Sequence, residues 1–144
     1  MMSVSHSILI DAPRETVFAY VTDPAKMAEW LPNMVLAHNI VGSGEGQQYE
    51  WTYKLSGILF HGESVVVEHS PSALAVHQTI GAVNSLWTFH VEPVDEQTKF
   101  TLDVTYEVPV PVLGKLAEHV IARRDARLVN LALENVKDTL EARA

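Results

Sequence analysis

A long run of strand signal, fenced by helix on either side, constrains this chain more than any other feature. From Met34 to Val108 the pattern is almost entirely strand, whereas Pro111 to Arg143 keeps helical periodicity with no proline inside it. Ahead of the strands, Ile8 to Pro32 reads as a strand end, two short helices and a stop. Pro13 and Pro24 suit the first turn of a helix, where the missing N–H would have had no partner, and Asp23 can accept a bond from the amides behind it. Pro32 biases Leu31 away from helix and ends the second one. The Trp30-Leu31-Pro32 stop is expected near the mouth of whatever the strands enclose.

Side chains alternate across a strand, so each run also assigns faces. Val4 to Ile10 places His6 with Ile8 and Ile10. The first helix turns Val17, Phe18 and Val21 inward, and the second runs from about Pro24 to Trp30. Strands are expected over Met34 to Val41, Gln48 to Leu55, Gly57 to His69 with Gly62 marking a bulge, Leu74 to Ile80, Val83 to Val91, and Phe100 to Val108. Tyr49, Trp51, Tyr53 and Leu55 share one face of their strand. Ser85, Trp87, Phe89 and Val91 share a face of theirs, as do Phe100, Leu102, Val104, Tyr106 and Val108. The opposite faces carry Glu50, Lys54, His90, Glu92, Asp103 and Glu107. Gly42-Ser43-Gly44-Glu45-Gly46 has neither P-loop nor GxGxxG spacing and no βαβ context, so it reads as a hairpin turn.

Consecutive strands with short turns make an antiparallel sheet, and one wet face leaves one face to cover. The C-terminal helix is the only element large enough to do so. Its apolar stripe runs through Leu113, Leu116, Ala117, Val120, Ile121 and Leu128 and drifts toward Ala132, Val136 and Leu140. Arg124 falls inside that stripe and His119 opposite it. The expected architecture is a single α+β domain over 1–144, a curved antiparallel sheet closed around one helix.

Composition excludes several functions. The net charge of −8 opposes nucleic acid and anionic membranes, which need clustered Lys and Arg. No cysteine is present, so disulfides, thiolate metal sites and a cysteine nucleophile are absent. No apolar run approaches the roughly 20 residues that span a bilayer, and the start lacks a secretory pattern, so a cytoplasmic protein without integral membrane association is expected.

The strand ending Ile10-Asp11-Ala12-Pro13, the Val17-Phe18 pair, the Asp23 to Trp30 spacing with Pro32, the Gly44-Glu45-Gly46 turn and the closing Val136-Lys137-Asp138-Thr139-Leu140-Glu141 together resemble the START-like (SRPBCC, helix-grip) superfamily, in its polyketide cyclase/dehydrase and lipid-transport branch. The resemblance spans essentially the whole chain. It implies seven strands wrapped around the C-terminal helix, two short helices after the first strand plugging one end, and a cavity between sheet and helix. The superfamily includes hydrophobic-ligand carriers, cyclases, quinone-binding proteins and chaperone regulators.

The inward sheet residues are rich in aromatics with a polar tip: Tyr49, Trp51, Tyr53, Trp87 and Tyr106. Any one of them suits a core, but as a set they suit a pocket with apolar walls and a few polar groups. Seven histidines raise the question of metal or acid/base chemistry. His61 and Glu63 share a strand face, yet nothing puts His77 of the next strand beside them, so no metal site and no cofactor is expected. Ser43 and Ser85 lie in the wrong contexts for a nucleophile elbow. Arg124 could hold a ligand carboxylate or phosphate, or lay its stem along the stripe and pair outward or with Glu63. The expected function is a carrier or sensor of a small hydrophobic or amphipathic ligand such as a lipid, quinone or polyketide. Tyr49, Trp51, Tyr53, Trp87, Phe89, Tyr106, Leu116 and Val120 would form the walls, with Arg124 and His6 as polar contacts. A cyclase or dehydratase using the same cavity, and a protein-binding regulator with a vestigial cavity, are the alternatives. Either monomer or homodimer fits the exposed sheet edges.

Overall fold

The computed structural model describes residues 2–55, 57–81, 84–106 and 114–143, with side chains for all of these except 2, 55 and 114–125. The chain runs β1 (Met2–Ile10), α1 (Arg14–Val21), a short 3-10 turn (Pro24–Lys26) leading into α2 (Met27–Trp30), β2 (Met34–Val41), β3 (Gln48–Leu55), β4 (Ile58–Ser70), β5 (Leu74–Ile80), β6 (Ser85–Val94), β7 (Gln97–Tyr106) and α3 (Gly114–Ala142). Among the described residues the seven strands form one sheet in the order β1-β7-β6-β5-β4-β3-β2, each pairing antiparallel. This is the helix-grip architecture expected from the sequence.

Local chemistry explains the punctuation. Asp23 accepts from the Ala25 amide at 3.0 Å with Pro24 in the first turn behind it, as its sequence suggests. Pro13 instead stands one residue earlier than expected, as the extended residue capping α1 (ψ 146°). Leu31, ahead of Pro32, is extended at ψ 115°, the conformation a following proline favours. Gly42, Gly44 and Gly46 all take positive φ in the β2–β3 turn, where a Cβ would be strained. β6 and β7 meet farther along than the pattern predicted, because Asp95 at φ 54° allows a tight turn between Val94 and Gln97. Val108, expected at the end of the last strand, lies outside the described residues.

Gly62 corrects an expectation. It pairs in register with Trp51, and the irregularity in β4 falls instead between Val66 and Glu68. A Cβ at Gly62 would stand 2.1 Å from Cζ2 of the Trp51 indole. The glycine is there to admit a ring.

The second half of α3 buries Val129, Ala132, Leu133, Val136 and Leu140 and runs along β1, with α2 against it. Leu133 joins the stripe the sequence outlined, while Leu128 is half-buried. Polar ties hold this end. Lys137 Nζ donates to Leu9 O at 2.9 Å, Asn135 Nδ2 to Trp30 O at 3.1 Å, and the Asp11 amide to Glu141 at 2.9 Å. Arg143 stands 3.7 Å from Glu29 and lies over the Tyr20 ring at 5.4 Å.

Trp30 also departs from expectation. It is wholly buried, edge-on to Phe89 and Phe100 at 6.4 and 6.2 Å, so it belongs to the core at the closed end and not to a mouth. Packing the indole between two aromatic rings draws it into the core whatever the chain does at the Leu31-Pro32 stop that follows.

Candidate functional site

Antiparallel partners point to the same side of a sheet, so the register can be read as rows across its concave face. One row runs His6, Leu102, Phe89, Ala75 and His69, and the next outward runs Ile8, Phe100 and Val91. These rows are mostly apolar and meet the plug, where Phe18 lies edge-on to His69 at 5.1 Å. In the opposite direction comes Val4, Val104, Trp87, His77 and Val66. The row after it is Tyr106, Ser85, Thr79, Ser64 and Tyr49. Five adjacent strands thus each present a hydroxyl at one level. Beyond them the Trp51 indole lies across Gly62 and reaches Gly81, where a Cβ would meet it at 3.1 Å.

The concave face is therefore divided, with an apolar half closed by α1, α2 and the end of α3, and a half lined by hydroxyls and indoles. Its hydroxyl groups are linked. Ser64 Oγ and Thr79 Oγ1 are 2.9 Å apart, Tyr49 Oη lies 2.8 Å from His77 Nδ1, and Trp87 Nε1 donates to Ser85 Oγ at 2.9 Å. Burial pushes the Tyr49 phenol up to about 12, against the opposing pull of a hydrogen bond with Ser64. Burial, with a smaller contribution from His69, lowers His77 to about 4. Both groups are uncharged at neutral pH. On this face Trp51 Nε1 and His77 Nε2 are buried without a hydrogen-bond partner among the described residues. At the ends of β5, β6 and β7 a cleft of about 310 Å³ is lined by Thr79, Ser85 and Tyr106 together with Gln78, Leu86 and Thr105.

The structure brings Tyr49, Trp51, Tyr53, Trp87 and Tyr106 onto this one face, with Trp51, Tyr53 and Trp87 half-buried. Phe89, expected in a wall, is 1% exposed and stacks at 6.4 Å on Phe100 within the apolar row of this face. His6 is half-buried on the same face, in the apolar row beside Leu102. The side chains of Leu116, Val120 and Arg124 lie outside those described. His61 and Glu63 point to the convex face, where His61 Nδ1 meets the Thr52 hydroxyl at 3.1 Å, while His77 points inward; the three do not converge.

Sequence reasoning missed Ser64, Thr79 and the role of His77. Alternation along Leu74 to Ile80 puts Ala75, His77 and Thr79 together, so the signal was two polar residues, His77 and Thr79, on one face. Nothing in one strand says which face is concave, and only the pairing to Trp87 and Val66 decides it.

The sequence profile of the polyketide cyclase/dehydrase and lipid transport family matches residues 1–141, and the chain belongs to that family. Among solved structures, a protein from Thermus thermophilus is similar over 99% of both chains with a TM-score of 0.85 at 18% identity. A START superfamily protein from Mycobacterium smegmatis reaches 0.80 at 16% identity over 99% of both chains. The Zhui aromatase/cyclase of Streptomyces reaches 0.77 at 16% identity, covering 99% of this chain and 94% of that one. At such identities the likeness is one of fold. A comparison with curated proteins finds no match. No described helix is long and apolar enough to cross a membrane.

Proposed function

We propose that the protein binds a small amphipathic molecule on the concave face, between the sheet and α3. The carrying observation is the division of that face. Indoles and phenols supply apolar contact, while one level of hydroxyls supplies hydrogen bonds without charge. A tightly packed core favours aliphatic side chains at such positions, whereas a ligand site combines apolar walls with a few convergent polar groups. Arg124 remains a proposed polar contact and Leu116 and Val120 proposed walls from the helix, with His6 a proposed polar contact from β1. Native mass spectrometry of the purified protein, before and after denaturation, tests this reading. A bound lipid, quinone or polyketide is the expected result. A clean apo mass, with no thermal shift across a hydrophobic panel, overturns it.

A second reading draws on one observation, the gathering of inward polar groups at one end of the face around Tyr49 and His77. A cyclase or dehydratase of the kind the Zhui neighbour is named for would use such a cluster to polarise a carbonyl and move a proton. Incubation with a poly-β-ketone thioester distinguishes the two. An enzyme releases a cyclised, dehydrated product; a carrier returns the chain unchanged.

A further inference from the structure

The order of donors and acceptors along the hydroxyl row defines one more property, which rests on the ligand-binding reading above. Each hydroxyl has one proton to give. Tyr49 Oη stands 2.8 Å from His77 Nδ1. A phenol is a stronger acid than a neutral imidazole N–H, so the phenol is the natural donor of this pair and Nδ1 the acceptor. Its oxygen is then free to accept from Ser64, whose own oxygen lies 2.9 Å from the Thr79 hydroxyl. An uncharged imidazole that accepts at Nδ1 carries its proton at Nε2.

His77 lies in a concave row between Trp87 and Val66, with Nδ1 taken by Tyr49. His77 is 1% exposed, and its Nε2 has no partner among the described residues. Buried donors are nearly always satisfied, and one that is not calls for an explanation. We propose that His77 is a neutral, tautomer-locked N–H donor to a carbonyl oxygen of the bound molecule, with Thr79, Ser64 and Tyr49 as positioning residues that hold the proton on Nε2. Ketone, ester and quinone oxygens match a donor of this kind. At this position a carboxylate is the poorer match, because a single neutral N–H leaves its charge uncompensated.

Two measurements test the proposal. Imidazole ¹⁵N NMR of the purified protein should show His77 as the Nε2–H tautomer, and Tyr49→Phe should convert it to a mixture or to Nδ1–H. A resting Nδ1–H form, or a tautomer indifferent to Tyr49→Phe, overturns the lock. Titration followed by tryptophan fluorescence should rank menadione about fivefold tighter than methylnaphthalene, the worth of one neutral hydrogen bond. His77→Phe should erase the menadione preference and leave methylnaphthalene unchanged. If methylnaphthalene binds and menadione gains nothing over it, the donor role fails while the ligand site stands. If neither perturbs Trp51 or Trp87, both fail together.

Discussion

The Trp51 indole lies on the backbone of Gly62, its partner across β3 and β4, closely enough that the glycine position cannot hold a Cβ: the nearest ring carbon would be 2.1 Å away and the Ile80 carbonyl 2.7 Å. The glycine therefore sets the angle of the ring over the sheet. Gly62→Ala is expected to destabilise the fold by about 1 to 3 kcal/mol, the usual cost of overpacking, and to move Trp51 off the sheet. Urea unfolding gives the first effect. The second appears as a changed Trp51 emission in a background where Trp30 and Trp87 are replaced by Phe.

His77 gives the fold an acid dependence. Its pKa falls from 6.5 to about 4 on folding through burial and, second, the nearby His69. Between those values the unfolded chain binds the extra proton, so stability is intact above pH 6.5 and is lost as the pH falls toward 4. The full span is worth on the order of 3 kcal/mol. His77→Phe should remove this slope, as read by chemical denaturation at a series of pH values. An unchanged slope would place the proton on another group.

Tyr49 produces the opposite sign at the alkaline end. Its pKa rises from 10.0 to about 12, so above pH 10.0 the unfolded chain ionises first and stability is lost as the pH rises. Tyrosinate absorbance should show one phenol titrating late and with unfolding. Tyr49→Phe should remove it and, by leaving His77 Nδ1 unpaired, cost about 1 to 2 kcal/mol at neutral pH.

The closed end should separate packing from surface charge. Trp30→Ala removes a wholly buried indole held between Phe89 and Phe100 and should cost about 3 to 5 kcal/mol. Arg143→Ala, which loses an exposed pair with Glu29 and the contact with Tyr20, should cost less than about 1 kcal/mol. Comparable losses in thermal melts would mean that the plug is held by its ion pairs.

Much of this protein is legible in its sequence because its strands are short-range objects. Gln48 to Leu55 and Phe100 to Tyr106 alternate plainly, and Pro24, Pro32 and the glycine-rich turn place breaks where the chain breaks. The aromatic members of the site, Tyr49, Trp51, Tyr53, Trp87 and Tyr106, were legible for the same reason, since each sits at an inward place in an alternating run. Ser64, Thr79 and His77 were not. A serine or threonine at an inward position carries no hydrophobic signal, and its meaning depends on the residue opposite it on another strand. Trp30 was misplaced because its neighbours Leu31 and Pro32 describe the chain's path, not the two phenylalanines more than fifty residues away that receive the ring.

Sequence by itself determined the order and kind of elements, the one-sided sheet and the family, because periodicity and turn chemistry act between near neighbours. The tertiary structure alone decided that five hydroxyls from five strands stand at one level, that Gly62 carries an indole, and that Tyr49 meets His77. Those facts depend on register across strands up to 57 positions apart, from Tyr49 to Tyr106, and register is set by which faces the core buries, a choice no single strand contains.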